Sequence, residues 1–161
     1  MKRTALIAAI IFALAAATPA LAQISESGVV YDLTGTLALP MEDGADLGIG
    51  IGSDVFFWTP SASSPIQVGG RFALNFITGD ADGTVWEFLP TCRYWLPSNT
   101  SINFFLQGSL GLYHARAEGY SDTDLGIGLG GGAKFSNNVF IMPVVNISDF
   151  DYFSINVGKQ F

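Results

Sequence analysis

His114 is the single histidine of the chain, and Ser121 and Asp122 follow it in the same short stretch. A nucleophile and a base within reach of each other are the minimum for covalent catalysis. No motif surrounds these three residues, so the spacing supports a structural histidine and no catalytic role is expected. Cys92 is the single cysteine, which excludes an intrachain disulfide and leaves a small apolar side chain. The charged residues are more informative. Asp32, Asp54, Arg71 and Arg93 each stand at a polar position of a segment that alternates apolar and polar. Two carboxylates and two guanidinia could form paired, mutually neutralising charges. A second set is purely acidic: Glu42, Asp43, Asp80, Asp82, Glu118, Asp122, Asp149 and Asp151, with Asp46 and Asp124 beside them. Such a set either gathers divalent cations or forms a solvated rim. Asp80-Ala81-Asp82-Gly83 contains part of a calcium loop but lacks the other ligands.

The elements that must position these residues are strands, because the dominant period is two. The chain divides into eight: about Gly28 to Leu39, Ala45 to Trp58, Ile66 to Thr78, Thr84 to Trp95, Ile102 to Tyr113, Asp124 to Phe135, Val139 to Ser148, and Phe153 to Phe161. In the first, Tyr31, Leu33, Leu37 and Leu39 share one face while Asp32, Thr34 and Thr36 share the other. The second and sixth oppose apolar residues to runs of glycine, Gly48-x-Gly50-x-Gly52 and Gly126-x-Gly128-x-Gly130. Pro143 weakens the pairing of the seventh. His114 to Thr123 is the longest expected link.

Before these strands, Lys2 and Arg3 precede an uncharged apolar run, Ala5 to Ala17, and Ala20-Leu21-Ala22 offers a small-x-small cleavage site. This is the pattern of a secretory signal peptide over 1–22, leaving residues 23–161 from Gln23 as one domain. The run is short for a membrane-spanning helix, which takes about 20 residues. Beyond the leader, five Lys and Arg stand against 14 acids, which makes nucleic acid an improbable partner. Charged residues are 13% of the chain, and glycines number 19. Ordinary soluble domains hold roughly 25% charged residues.

Alternation alone is compatible with two barrels of opposite polarity. A soluble lipocalin-like carrier turns its apolar face inward. A membrane barrel turns it outward and fills a narrow interior with the other face. A glycine-rich, charge-poor face is a poor surface for a strand in water. It suits the inside of an eight-stranded barrel, and strands of 9–11 residues suffice to cross. The expected fold is therefore an all-β, eight-stranded antiparallel transmembrane up-and-down barrel, with no cofactor.

Three stretches resemble the small outer-membrane β-barrel family of opacity-type surface antigens and porin-family proteins. They are Phe88-Leu89-Pro90-x-x-Arg93-Tyr94-Trp95-Leu96-Pro97, Gln107-Gly108-Ser109-Leu110-Gly111-Leu112-Tyr113, and Asp122 to Phe135 with its alternating glycines. The likeness runs over essentially all of 23–161. It implies the outer membrane of a Gram-negative cell, with lipids and lipopolysaccharide as surroundings. It also implies that terminal Phe161 is read by the barrel-assembly machinery during insertion. Family members serve as structural, adhesive or immune-facing surface proteins. Some eight-stranded barrels modify lipid A, which keeps a lipid A-modifying enzyme as an alternative beside the soluble periplasmic carrier.

With both termini on the periplasmic side, the outer links are 40–45, 79–84, 114–123 and 149–151. All the rim acids fall at that end, and the three periplasmic links hold no charge. Aromatic residues near strand ends suggest two interfacial girdles. Phe57, Trp58, Tyr94, Trp95 and Phe161 would lie below; Trp86, Tyr113, Tyr120, Phe150 and Tyr152 would lie above. A first turn centred near residue 43 sets Asp32 opposite Asp54. A link centred near 62 brings Asp54 beside Arg71, and a turn near 82 places Arg93 beside Arg71. The expectation is one inward layer of four charges that plugs the lumen.

Overall fold

A computed structural model describes residues 28–41, 45–59, 64–79, 82–98, 101–117 and 119–161. The leader over 1–22 and Gln23 lie outside the described residues. Eight strands follow in chain order: β1 (Val30–Pro40), β2 (Ala45–Trp58), β3 (Ile66–Gly79), β4 (Gly83–Trp95), β5 (Asn103–Ala117), β6 (Tyr120–Lys134), β7 (Val139–Ile147) and β8 (Tyr152–Gln160). Each pairs antiparallel with the next, and β8 returns to β1 to close the barrel. The closure reaches the last residue. Phe161 N–H donates to the Tyr31 carbonyl at 2.7 Å, and Tyr31 N–H donates to the Phe161 carbonyl at 3.2 Å.

The alternation resolves into an apolar wall and a polar interior. Leu125 is 63% exposed and Phe88 67%, whereas Asp32, Asp54 and Arg93 are fully buried. In water such a wall would be one continuous apolar patch, far beyond what a soluble monomer exposes. A closed barrel has no free sheet edge and satisfies its backbone between strands, which is the condition for crossing hydrocarbon.

The glycine runs have a steric cause. A Cβ built on Gly50 would fall 2.1 Å from Asn75 Oδ1 and 2.6 Å from the Leu74 carbonyl oxygen. On Gly132 it would fall 2.4 Å from the tip of the Phe105 ring. These positions are empty so that larger side chains from neighbouring strands can cross the lumen. Gly108 differs, since its nearest neighbour, a Leu129 methyl, would be 3.8 Å away. Gly50→Val is therefore expected to lower stability by about 1–3 kcal/mol through overpacking. Gly108→Ala should change the urea midpoint little; equal losses from the two would refute the steric account.

Pro143 has the expected effect. The β6–β7 register holds at Gly130↔Val144 and Ala133↔Ile141, with the two rungs between them missing. The short turn after β6 closes with Asn138 at φ 64, in the left-handed region that asparagine tolerates.

The long link expected over 114–123 is not a link. β5 runs on to Ala117 and β6 starts at Tyr120, with Ala117 opposite Tyr120. Between them Gly119 takes φ 75, which glycine reaches without a Cβ clash. The stretch is instead a two-stranded ribbon, with His114 opposite Thr123 and Arg116 opposite Ser121 on one face and Ala115 opposite Asp122 on the other.

Candidate functional site

The interior is built by the inward residue of every second position, and two arginines organise it. Arg71 on β3 sits among three partners. Its Nε donates to Glu87 Oε2 at 2.8 Å, Nη1 to Asp54 Oδ2 at 3.3 Å, and Nη2 to Asn156 Oδ1 at 2.9 Å. Glu87 Oε1 also accepts from Asn75 Nδ2 at 2.7 Å and from the Tyr152 hydroxyl. Thr36 Oγ1 donates to Asn156 Oδ1 at 2.8 Å, tying β1 to β8 inside the barrel. Tyr113 continues the network through Asn146 Oδ1 at 3.2 Å.

Arg93 on β4 lies nearer the end that holds the termini. Its Nη1 is 2.5 Å from Asp32 Oδ2. Nε and Nη2 both donate to Gln107 Oε1, at 2.9 and 2.6 Å. The guanidinium carbon stands 4.3 Å from the Phe56 ring centroid and 4.4 Å from that of Phe105, with Trp95 and Phe140 each at 5.6 Å. Flat, weakly hydrated guanidinium suits such an aromatic cage. The two centres are joined by Asp54, whose Oδ1 accepts from Gln107 Nε2 at 3.3 Å. Gln160 donates to Asp32 Oδ1 at 3.1 Å and accepts from Lys134 Nζ at 2.6 Å. Three carboxylates and three cations, Lys134 among them only half-buried, thus share one chain of contacts.

The expected layer of four charges is only partly what the register gives. Asp32 stands opposite Asp54, and Asp54 opposite Arg71. Arg93 does not stand beside Arg71. It lies opposite Gln67 on one side and Gln107 on the other, while Arg71 lies opposite Leu89. The β3–β4 turn centres near residue 80, with Ile77 opposite Gly83, rather than near 82. The observed β3–β4 register keeps the two guanidinia from direct cross-strand apposition, which is unfavourable, while Asp32 and Asp54 stand opposite each other across β1–β2. Glu87, Gln107, Asn75 and Asn156 complete the sites. All four stand at inward positions of their alternating strands, but their partners depend on register, which parity does not supply.

Three aromatic residues assigned to interfacial girdles turn inward instead. Tyr113 and Tyr152 are buried in the lumen, and Trp95 donates from Nε1 to Gln67 Oε1 at 2.9 Å. Each shares its strand face with inward residues: Trp95 with Arg93, Tyr113 with Gln107, Tyr152 with Asn156. Phe150 packs partly against the interior cluster. Phe57, Trp58, Tyr94 and Trp86 are exposed on the wall or at its ends, as is Cys92. Of Tyr120 only the backbone is described.

Of the rim acids, Glu42, Asp43, Asp80 and Glu118 lie outside the described residues. Three described ones accept backbone N–H groups. Asp122 Oδ1 takes Thr123 N–H at 2.8 Å, Asp124 Oδ2 takes Asp149 N–H at 2.9 Å, and Asp151 Oδ1 takes Ser148 N–H at 2.9 Å. Asp82, Asp122 and Asp149 are exposed. Among the described residues, no three His, Cys, Asp or Glu side chains are grouped to hold a metal ion.

The catalytic candidates are divided between the two faces of the β5–β6 ribbon. His114 stands opposite Thr123, with Nδ1 2.7 Å from its Oγ1. Ser121 stands opposite Arg116, and Asp122 opposite Ala115 on the other face of the ribbon.

No protein family and no curated protein matches the chain in sequence. Solved structures do match in fold. The outer membrane enzyme PagL is 14% identical over 81% of this chain and 98% of its own, with TM-score 0.58. Neisserial surface protein A (NspA) is 12% identical over 82% of this chain and 94% of its own, with TM-score 0.61. The N-terminal β-barrel domain of Pseudomonas aeruginosa OprF is 10% identical over 82% and 97%, with TM-score 0.53. The chain therefore has the eight-stranded antiparallel barrel fold found in small outer-membrane proteins.

Proposed function

We propose that this chain is an outer-membrane β-barrel of a Gram-negative cell with a structural or surface-interaction role, a plugged lumen and no catalytic activity. The observation that carries the reading is the inverted distribution of polarity. Leucine and phenylalanine cover the outside while Asp32, Asp54, Arg71, Glu87 and Arg93 are buried within. A soluble carrier needs the reverse, an apolar interior around its ligand. The leader over 1–22 would direct export, with cleavage between Ala22 and Gln23. Phe161, paired to Tyr31 at the closing seam, would be the signal read by the barrel-assembly machinery. Outer-membrane lipids and lipopolysaccharide would surround the wall, as expected of an opacity-type or porin-family barrel. The distal acids would form a solvated rim; divalent cations remain its candidate ligands, tested by a calcium or magnesium dependence of stability.

Fractionation tests the location. The chain starting at Gln23 should sediment with outer membrane and show heat-modifiable gel mobility, and deletion of Phe161 should reduce its level there. Recovery in the soluble periplasm would overturn the reading; undiminished levels without Phe161 would overturn the role of that residue. In planar bilayers the barrel should give no steady conductance, because an eight-stranded interior is just filled by its side chains. Lipid A mass spectra should be the same with and without the protein.

A further inference from the structure

At the distal ends of β3, β4 and β5 the strands border a cleft of about 690 Å³. Outward-facing Phe76, Thr78, Thr84 and Arg116 line it together with Asp82, and Ile77, Gly83 and Ala117 contribute from the opposite strand faces. Register places its key side chains in rungs across the sheet. The first rung is Phe76, Thr84, Arg116 and Ser121 on β3 to β6. The next rung towards the middle of the wall is Leu74, Trp86, His114 and Thr123. The third is Phe72, Phe88, Leu112 and Leu125, each roughly half or more exposed. Polarity therefore falls in two steps, from a guanidinium flanked by two hydroxyls, through an indole and an imidazole, to hydrocarbon alone.

That gradient matches one kind of occupant, a lipid with a phosphate on its headgroup and acyl chains beneath. Guanidinium is the side chain best suited to phosphate, because its charge and its fork of donors fit two oxygens at once. Hydroxyls on both sides add donors. The apolar rungs would carry the chains. Arg116 is the one described cation at the distal end, so it alone can offer an anion a charged partner there. Resting on the outer-membrane reading above, we infer that this cleft holds the phosphorylated headgroup of a lipid A-type glycolipid, with Arg116 as its anchor. Asp82 lines the same space and opposes the bound anion, so removing its charge should strengthen the interaction.

Native mass spectrometry of the purified barrel in micelles, with EDTA present, tests this using lipid A and its fully dephosphorylated form as probes. The wild type should prefer lipid A, and Arg116→Gln should lose about tenfold in affinity, the loss of a hydrogen-bonded charge pair. Asp82→Asn should bind lipid A roughly two- to threefold more tightly, as expected for an exposed opposing charge. Lys159→Gln, at the other end of the barrel, should behave as wild type. Heat-modifiable mobility confirms that each variant is folded. Equal binding of the two lipids, full affinity in Arg116→Gln, weakened binding in Asp82→Asn, or displacement of the lipid by inorganic phosphate would each overturn the assignment. Because the measurement uses micelles, its failure leaves the location to the fractionation experiment.

Discussion

Arg71→Met is expected to lower the stability of the barrel by about 3–5 kcal/mol, the usual effect of removing one partner from a buried charge cluster. The substitution strands Glu87 and Asp54 in the interior and also removes the donor to Asn156. It should appear as a lower urea midpoint for unfolding from lipid vesicles. Lys159→Met is the control, since Lys159 is exposed on the wall, and its midpoint should move far less. A further comparison separates charge from packing. Arg71→Met combined with Asp54→Asn and Glu87→Gln leaves no stranded charge, so it should recover part of the loss. Equal midpoints for Arg71→Met and Lys159→Met would show that the interior is wet enough to solvate the two acids.

Arg93→Lys is the second large effect, although the charge is kept. Lysine can still approach Asp32, but it cannot offer a flat cation to the rings of Phe56, Phe105, Trp95 and Phe140. It also cannot send two parallel donors to Gln107. A loss of about 2–4 kcal/mol is expected, combining a desolvated cation–π cage with hydrogen bonds to a charged group. Tryptophan fluorescence should report it as well, because Trp95 packs on Phe105 at 5.1 Å between centroids. An unchanged midpoint and spectrum would mean that the cage contributes nothing beyond a generic positive charge.

The strands and their faces were legible because burial on opposite sides of a barrel wall imposes period two. β2 runs from Ala45 to Trp58, as its alternation implies. The Asp32–Asp54–Arg71 neighbourhood was also legible, since two turn centres fixed it. Arg93 was misplaced because a turn centre wrong by two residues moves a side chain along its strand without changing its face. Parity cannot detect that error. Trp95, Tyr113 and Tyr152 sit near strand ends, where aromatics favour the bilayer interface, yet their parity with Arg93, Gln107 and Asn156 turns them inward. The ribbon between His114 and Thr123 carries no apolar alternation to mark it, whereas strand pairing there needs only backbone and a glycine near the turn.

That ribbon changes what the barrel presents to other copies of itself. The β6–β7 register begins at Ile127, so Tyr120 to Gly126 of β6 stand above the top of β7. A barrel has no edges, but a ribbon that outgrows its neighbour regains one. Bare strand edges are templates for pairing with another chain and so for aggregation. Here the edge carries Asp122 and Asp124, with Asp149 close by through its N–H to Asp124. Two such edges approaching each other would bring like charges together along their whole length. Acids placed at such an edge oppose its pairing with a second strand edge.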